Sequence, residues 1–101
     1  MTTTANPVRC TLADIPNHRF VSVDARVLAV DPRHQDTTRP WAVVSLTADG
    51  NLVELRVYPV TYALTSEHLE VGNLLTVTAE VAEDADGWFM AAHTIHPAVS
   101  A

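Results

Sequence analysis

A chain of 101 residues has room for one domain with a modest hydrophobic core, and its 48% apolar content is that of an ordinary globular protein. The formal net charge is −6 and there is no lysine, which argues against tight, non-specific polyanion binding. A single cysteine, Cys10, excludes an internal disulfide and a cysteine-only metal site, and no apolar run approaches the roughly 20 residues that span a bilayer.

The charge is uneven. The six arginines (Arg9, Arg19, Arg26, Arg33, Arg39 and Arg56) balance six carboxylates within residues 1–66, whereas residues 67–101 carry six carboxylates and no arginine. An anionic partner is therefore expected on the first part of the chain. The N-terminus MTTTANPVRC lacks the basic and apolar regions of a secretory signal. With the free thiol, this leads to the expectation of a cytoplasmic protein without a membrane partner.

Residues 1–13 are polar and Thr-rich and read as a loose tail, with a loop entry at Pro16-Asn17. The domain is expected over residues 19–97, between a flexible tail of residues 1–18 and a short one of 98–101. Phe20–Val30 alternates, with Val21, Val23, Ala25, Val27 and Ala29 on one face and Ser22, Asp24, Arg26 and Leu28 on the other. Its length suits a curved barrel strand. Asp31-Pro32 is expected to end it, leaving DPRHQDTTRP as a polar loop.

Trp41–Thr47 reads as the second strand, with Ala48-Asp49-Gly50-Asn51 as its turn. Leu52–Tyr58 is the third, with Val53, Leu55 and Val57 facing away from Glu54, Arg56 and Tyr58. The one plausible helix lies in VTYALTSEHLEV, residues 60–71. Thr65 or Ser66 would cap it, Leu64 and Leu69 would face inward, Tyr62 would pack beneath it, and Gly72 would end it. In the fourth strand Leu75, Val77, Ala79 and Val81 oppose Thr76, Thr78 and Glu80. Glu83-Asp84-Ala85-Asp86-Gly87 then connects to a last strand that begins at Trp88-Phe89. Trp88 shares its parity with Met90 and Ala92, so Phe89 is expected to be the accessible one.

Five strands with a single short helix between the third and fourth is the order of an all-β, five-stranded Greek-key barrel, the OB-fold. From about Val21 to Ile95 the chain resembles the anticodon-binding type of OB-fold domain, as found in class II aminoacyl-tRNA synthetases, bacterial replicative DNA polymerase alpha subunits and RecG-like helicases. The resemblance is carried by VSVDARVLAV, AVVSLTADGNLVELRVYPVTY, HLEVGNLLTVTAEV and DGWFMAAHTI. It implies a binding module for single-stranded DNA or RNA, with no catalysis and no cofactor. It also implies a surface on the outer face of strands two and three, flanked by the loops between strands one and two and strands four and five.

On that template Arg26, Arg33, Arg39 and Arg56 are expected to meet phosphates, and Trp41 and Tyr58 to stack on bases. His34 lies in the same loop. Glu83, Asp84 and Asp86 sit where a loop often closes over nucleic acid and would repel phosphate. The alternative expectation is thus an acidic protein-interaction adaptor of the same fold that docks a basic partner, such as a replication or repair protein. Homo-oligomerisation would raise affinity by multiplying contacts. His93 and His96, three apart on a strand, would face opposite sides, and no metal site is expected. Three glycines, at 50, 72 and 87, supply no phosphate-binding glycine loop, and no nucleophile sits in a catalytic frame, so an enzyme is not expected.

Overall fold

The computed structural model describes residues 6–33 and 39–98. Alternation of Val, Leu and Ala with polar residues produces β2 (Phe20–Arg33), β3 (Trp41–Ala48), β4 (Asn51–Val57), β5 (Leu74–Asp84) and β6 (Gly87–Pro97). A two-residue β1 (Val8–Arg9) precedes them, and α1 (Pro59–Thr65) lies between β4 and β5. Short 3-10 segments cover Leu12–Asn17 and Ser66–His68.

The strands close on themselves. β2 pairs with β3, β3 with β4, β4 with β6 in parallel, β6 with β5, and β5 returns to β2. This closed five-stranded barrel, with a short helix between its third and fourth strands, is the expected OB fold. Closure leaves few edges to pair with other chains. The buried side chains of all five strands fill the barrel, among them Val23, Val44, Leu55, Val77 and Met90.

Local chemistry sets the turns. Asp49 and Gly50, both at positive φ (52° and 80°), form the two-residue β3–β4 hairpin loop that suits the strand twist. Pro59 opens α1, where a missing N–H costs nothing. Gly72, at φ 96°, follows the helical segment, and its N–H donates to Val27 O at 2.8 Å.

The first barrel strand runs past the expected stop, through Asp31 and Pro32 to Arg33. Beyond Arg26 it has lost β5 and pairs only with β3, so a residue without an N–H is tolerated there as on an edge strand. A bulge at Leu28 reverses the alternation, because Val27 pairs with Leu46 and Ala29 with Ser45. In consequence Ala29 is exposed rather than inward, and Val30 packs against the core.

Three further expectations are corrected. Residues 8–17 are not a loose tail: β1 pairs with β2, and Leu12 and Ile15 are buried in the core. Their burial removes apolar surface from water, which the polar run before them conceals in the sequence. In the helical segment Leu69 is buried, but Leu64 is exposed, and neither Thr65 nor Ser66 makes a side-chain cap. Thr65 Oγ1 instead donates back to Thr61 O at 2.7 Å. Finally, Phe89 is only 8% exposed and Trp88 is 36% exposed, the reverse of expectation. Trp88 does share parity with Met90, but it stands at the start of β6, beyond the buried part of the barrel. Phe89 faces outward and is covered by Arg56.

Candidate nucleic-acid interface

The outer face of β2, β3 and β4 collects most of the expected binding residues. Register places Arg33 opposite Trp41, and Ala42 opposite Val57, which brings Trp41 beside Tyr58. The two rings stack with centroids 5.5 Å apart and planes 30° apart. Trp41 is half-buried and Tyr58 exposed, so the pair offers an aromatic surface to solvent. Alternation explains the geometry: Trp41 lies outside because Ala42 and Val44 lie inside, and Tyr58 because Val57 lies inside.

Arginines flank the pair unequally. Arg33 is half-buried, with Nε 3.0 Å and Nη2 2.8 Å from Asp31 Oδ2. Arg39 is exposed and reaches the rim of a groove of about 370 Å³ lined by Pro40, Pro59, Val60, Ala63 and Leu64. His34 falls outside the described residues. Arg26 is not part of this group. Its Nη1 donates to Gly72 O at 2.5 Å. Seven residues of strand separate it from Arg33, about 23 Å by strand rise.

Arg56 lies on the same face two residues before Tyr58 but is held by acids. Its Nε donates to Glu54 Oε2 at 2.7 Å and its Nη2 to Asp84 Oδ2 at 2.7 Å. The guanidinium carbon sits 3.7 Å from the centre of the Phe89 ring, a cation–π contact. The hydrogen bond that Arg56 donates to Glu54, with the one it donates to Asp84, keeps it charged well beyond its ordinary range. Asp84 is held below the usual carboxylate range, first by Arg56 and then by the backbone N–H of Asp86, 2.9 Å from Oδ1. The acidic β5–β6 connection is therefore tied to this face through Asp84. Sequence reading placed the carboxylates near the site but missed this clamp. No periodic signal links residues 56 and 84.

Two observations concern metal-ligating side chains. The expectation that His93 and His96 face opposite sides does not hold in full. A bulge between Ala92 and Thr94 interrupts the alternation, and both histidines line a groove beside α1 with Thr61, Leu64 and His68. Among the described residues the one convergent group of three is elsewhere, at Cys10, Asp14 and His18 on the N-terminal segment.

No known family model matches the chain, and no curated protein matches it in sequence. Solved structures do match in fold. The second OB-fold domain of replication protein A from Methanococcus maripaludis superposes with a TM-score of 0.70 at 16% identity, covering 93% of this chain and 98% of that one. A replication protein A heterotrimer bound to ssDNA gives a TM-score of 0.62 at 10% identity, with 82% of this chain covered. The Stn1-Ten1 complex of S. pombe gives the same values. In both of these the chain spans 60% of the matched chain's length. At these identities the likeness establishes the fold, and it agrees with the barrel topology: the chain is an OB-fold domain.

Proposed function

We propose that this protein is a single-stranded nucleic-acid-binding OB-fold module, serving replication, repair or RNA handling as an accessory factor without catalytic activity of its own. The observation that carries this reading is the partly exposed Trp41–Tyr58 stack, with Arg33 in register beside it and Arg39 two residues before it. Cations beside aromatics on one face are what backbone tracking and base stacking require. Trp41 and Tyr58 would stack on bases, while Arg33 and Arg39 would meet phosphates. Arg33, held by Asp31, and Arg56, held by Glu54 and Asp84, would each meet phosphate by exchanging a carboxylate partner. The ssDNA-bound state of one matched structure supports the reading, as does the resemblance in sequence pattern to the anticodon-binding type.

Tryptophan fluorescence during titration with short oligo-dT and oligo-U at low salt tests it. Because Trp88 is also exposed, the titration belongs on a Trp88→Phe background. Quenching is expected. Trp41→Ala should then weaken binding, followed by a labelled oligomer, by about 1–3 kcal/mol, roughly five- to 150-fold in Kd. Absence of quenching with both oligomers would sink the proposal.

A second reading, docking of a protein, is favoured by one feature. Val60 (66% exposed) and Leu64 (74%) stand one turn apart on α1 and open the groove beside Pro40 and Pro59. Under that reading, replacing Leu64 by Glu abolishes capture of the partner and leaves oligonucleotide binding unchanged.

A further inference from the structure

We propose that Cys10, Asp14 and His18 form a binding site for a divalent transition-metal ion of the Zn²⁺ class. Cys10 Sγ, a carboxylate oxygen of Asp14 and an imidazole nitrogen of His18 all lie within 4.8 Å of one another. Bonds of about 2.0–2.3 Å around a tetrahedral ion set neighbouring donors roughly 3.3–3.8 Å apart. Side-chain movements of about an ångström therefore bring the three onto one centre. A water would complete the tetrahedron, as three protein ligands leave one position open.

The site is supported from behind. Leu12 and Ile15, between the three donors, are buried in the barrel core and anchor the segment. Cys10 N donates to Ser22 O at 3.3 Å, Asp14 N to Thr11 O at 3.1 Å and His18 N to Ile15 O at 3.0 Å, which fixes the backbone at each donor. Asp14 Oδ2 lies 2.9 Å from His18 Nε2, while Asn17 Nδ2 donates to Asp14 Oδ1 at 2.8 Å. One carboxylate oxygen thus points toward the imidazole and the other is held by an outer partner. This is the arrangement that orients a ligating carboxylate.

The donor set selects the ion. Thiolate and imidazole suit Zn²⁺ and its neighbours, whereas Mg²⁺ and Ca²⁺ require oxygen cages. Burial, with the charge of Asp14, pushes the Cys10 thiol up. Ion binding forms the metal–sulfur bond and releases the thiol proton to solvent. Arg9, the nearest cation in sequence, is engaged by Asp24 and Ser22.

Titration of the reduced 101-residue chain with Co²⁺ reads this directly. The expected result is one equivalent bound with a thiolate-to-cobalt charge-transfer band and the intense visible bands of tetrahedral geometry, both erased by Zn²⁺. Cys10→Ser should remove the charge-transfer band, and Asp14→Asn and His18→Gln should each weaken binding tenfold or more. Asn17→Ala should weaken it less and keep the spectrum. Zn²⁺ at a hundredfold excess over Kd should raise the Tm by roughly 10 °C or more. Circular dichroism reports whether each variant is folded. A spectrum without the charge-transfer band, or one that folded Cys10→Ser leaves unchanged, overturns the proposal.

Discussion

Arg56 carries the conflict between the two charge populations of the chain. It is the last arginine, and it is bound by one carboxylate from its own strand and one from the end of β5. Its packing over Phe89 also explains how a large outward-facing aromatic avoids water. Asp84→Asn separates these roles. It removes one of the two acids that compete with phosphate for Arg56, and the expected outcome is a severalfold gain in oligonucleotide affinity at low salt. An unchanged Kd would mean that Arg56 serves only to cover Phe89. The same variant reports on stability. The folded-state pKa of Asp84 lies below its unfolded value, so its contribution is present above about pH 4 and is lost as pH falls through the depressed value. Urea midpoints of wild type and Asp84→Asn should therefore differ at pH 7 and draw together as pH falls through the depressed value. A difference that does not shrink at all as pH is lowered would assign the effect to something other than the carboxylate charge.

At the scale of elements, the N-terminal segment shows where packing overrides composition. Leu12 and Ile15 sit in a polar, proline-bearing stretch with no strand or helix period, yet both are buried. Leu64 belongs to the only α-helix among the described residues, yet it is exposed. Ile15→Ala should cost about 2–5 kcal/mol and lower the Tm by roughly 10 °C or more. Leu64→Ala should change stability by less than about 0.5 kcal/mol. Thermal melts of the two variants decide whether the segment belongs to the folded unit, and equal melts would return it to the status of a tail. The barrel strands were readable because alternation is a local signal: Val53, Leu55 and Val57 declare one face in five residues. The bulges at Leu28 and His93 were not, since one extra residue leaves no mark in composition and reverses every facing beyond it. The Arg33–Trp41–Tyr58 cluster could be anticipated from the strand order together with the surface that the OB-fold resemblance implies. The Arg56–Asp84 pair and the Cys10–Asp14–His18 group could not, the first because it spans the closure of the barrel, the second because its backbone is 3-10 and irregular.

Across the whole molecule the charge asymmetry limits how nucleic acid can be held. With a net charge of −6 and all cations before residue 57, long-range attraction is weak and contact must be local. For single strands, log K falls with log salt by about 0.7 for each phosphate neutralised. Engagement of Arg33 and Arg39 alone predicts a slope near −1.4, and recruitment of Arg56 in Asp84→Asn steepens it to about −2.1. The stack on Trp41 and Tyr58 adds a part that salt does not screen, so binding should persist, weakened, near physiological salt. Titrations at a series of salt concentrations separate the two parts. Arg33→Ala with Arg39→Ala should flatten the slope, and Trp41→Ala should lower affinity at every salt while leaving the slope in place. If the double arginine variant keeps the wild-type slope, the phosphates are met elsewhere on the barrel and Trp41–Tyr58 is not the centre of the interface. If Trp41→Ala changes the slope as well, base stacking and phosphate contact are coupled through the register of β2 and β3, and the face acts as one unit.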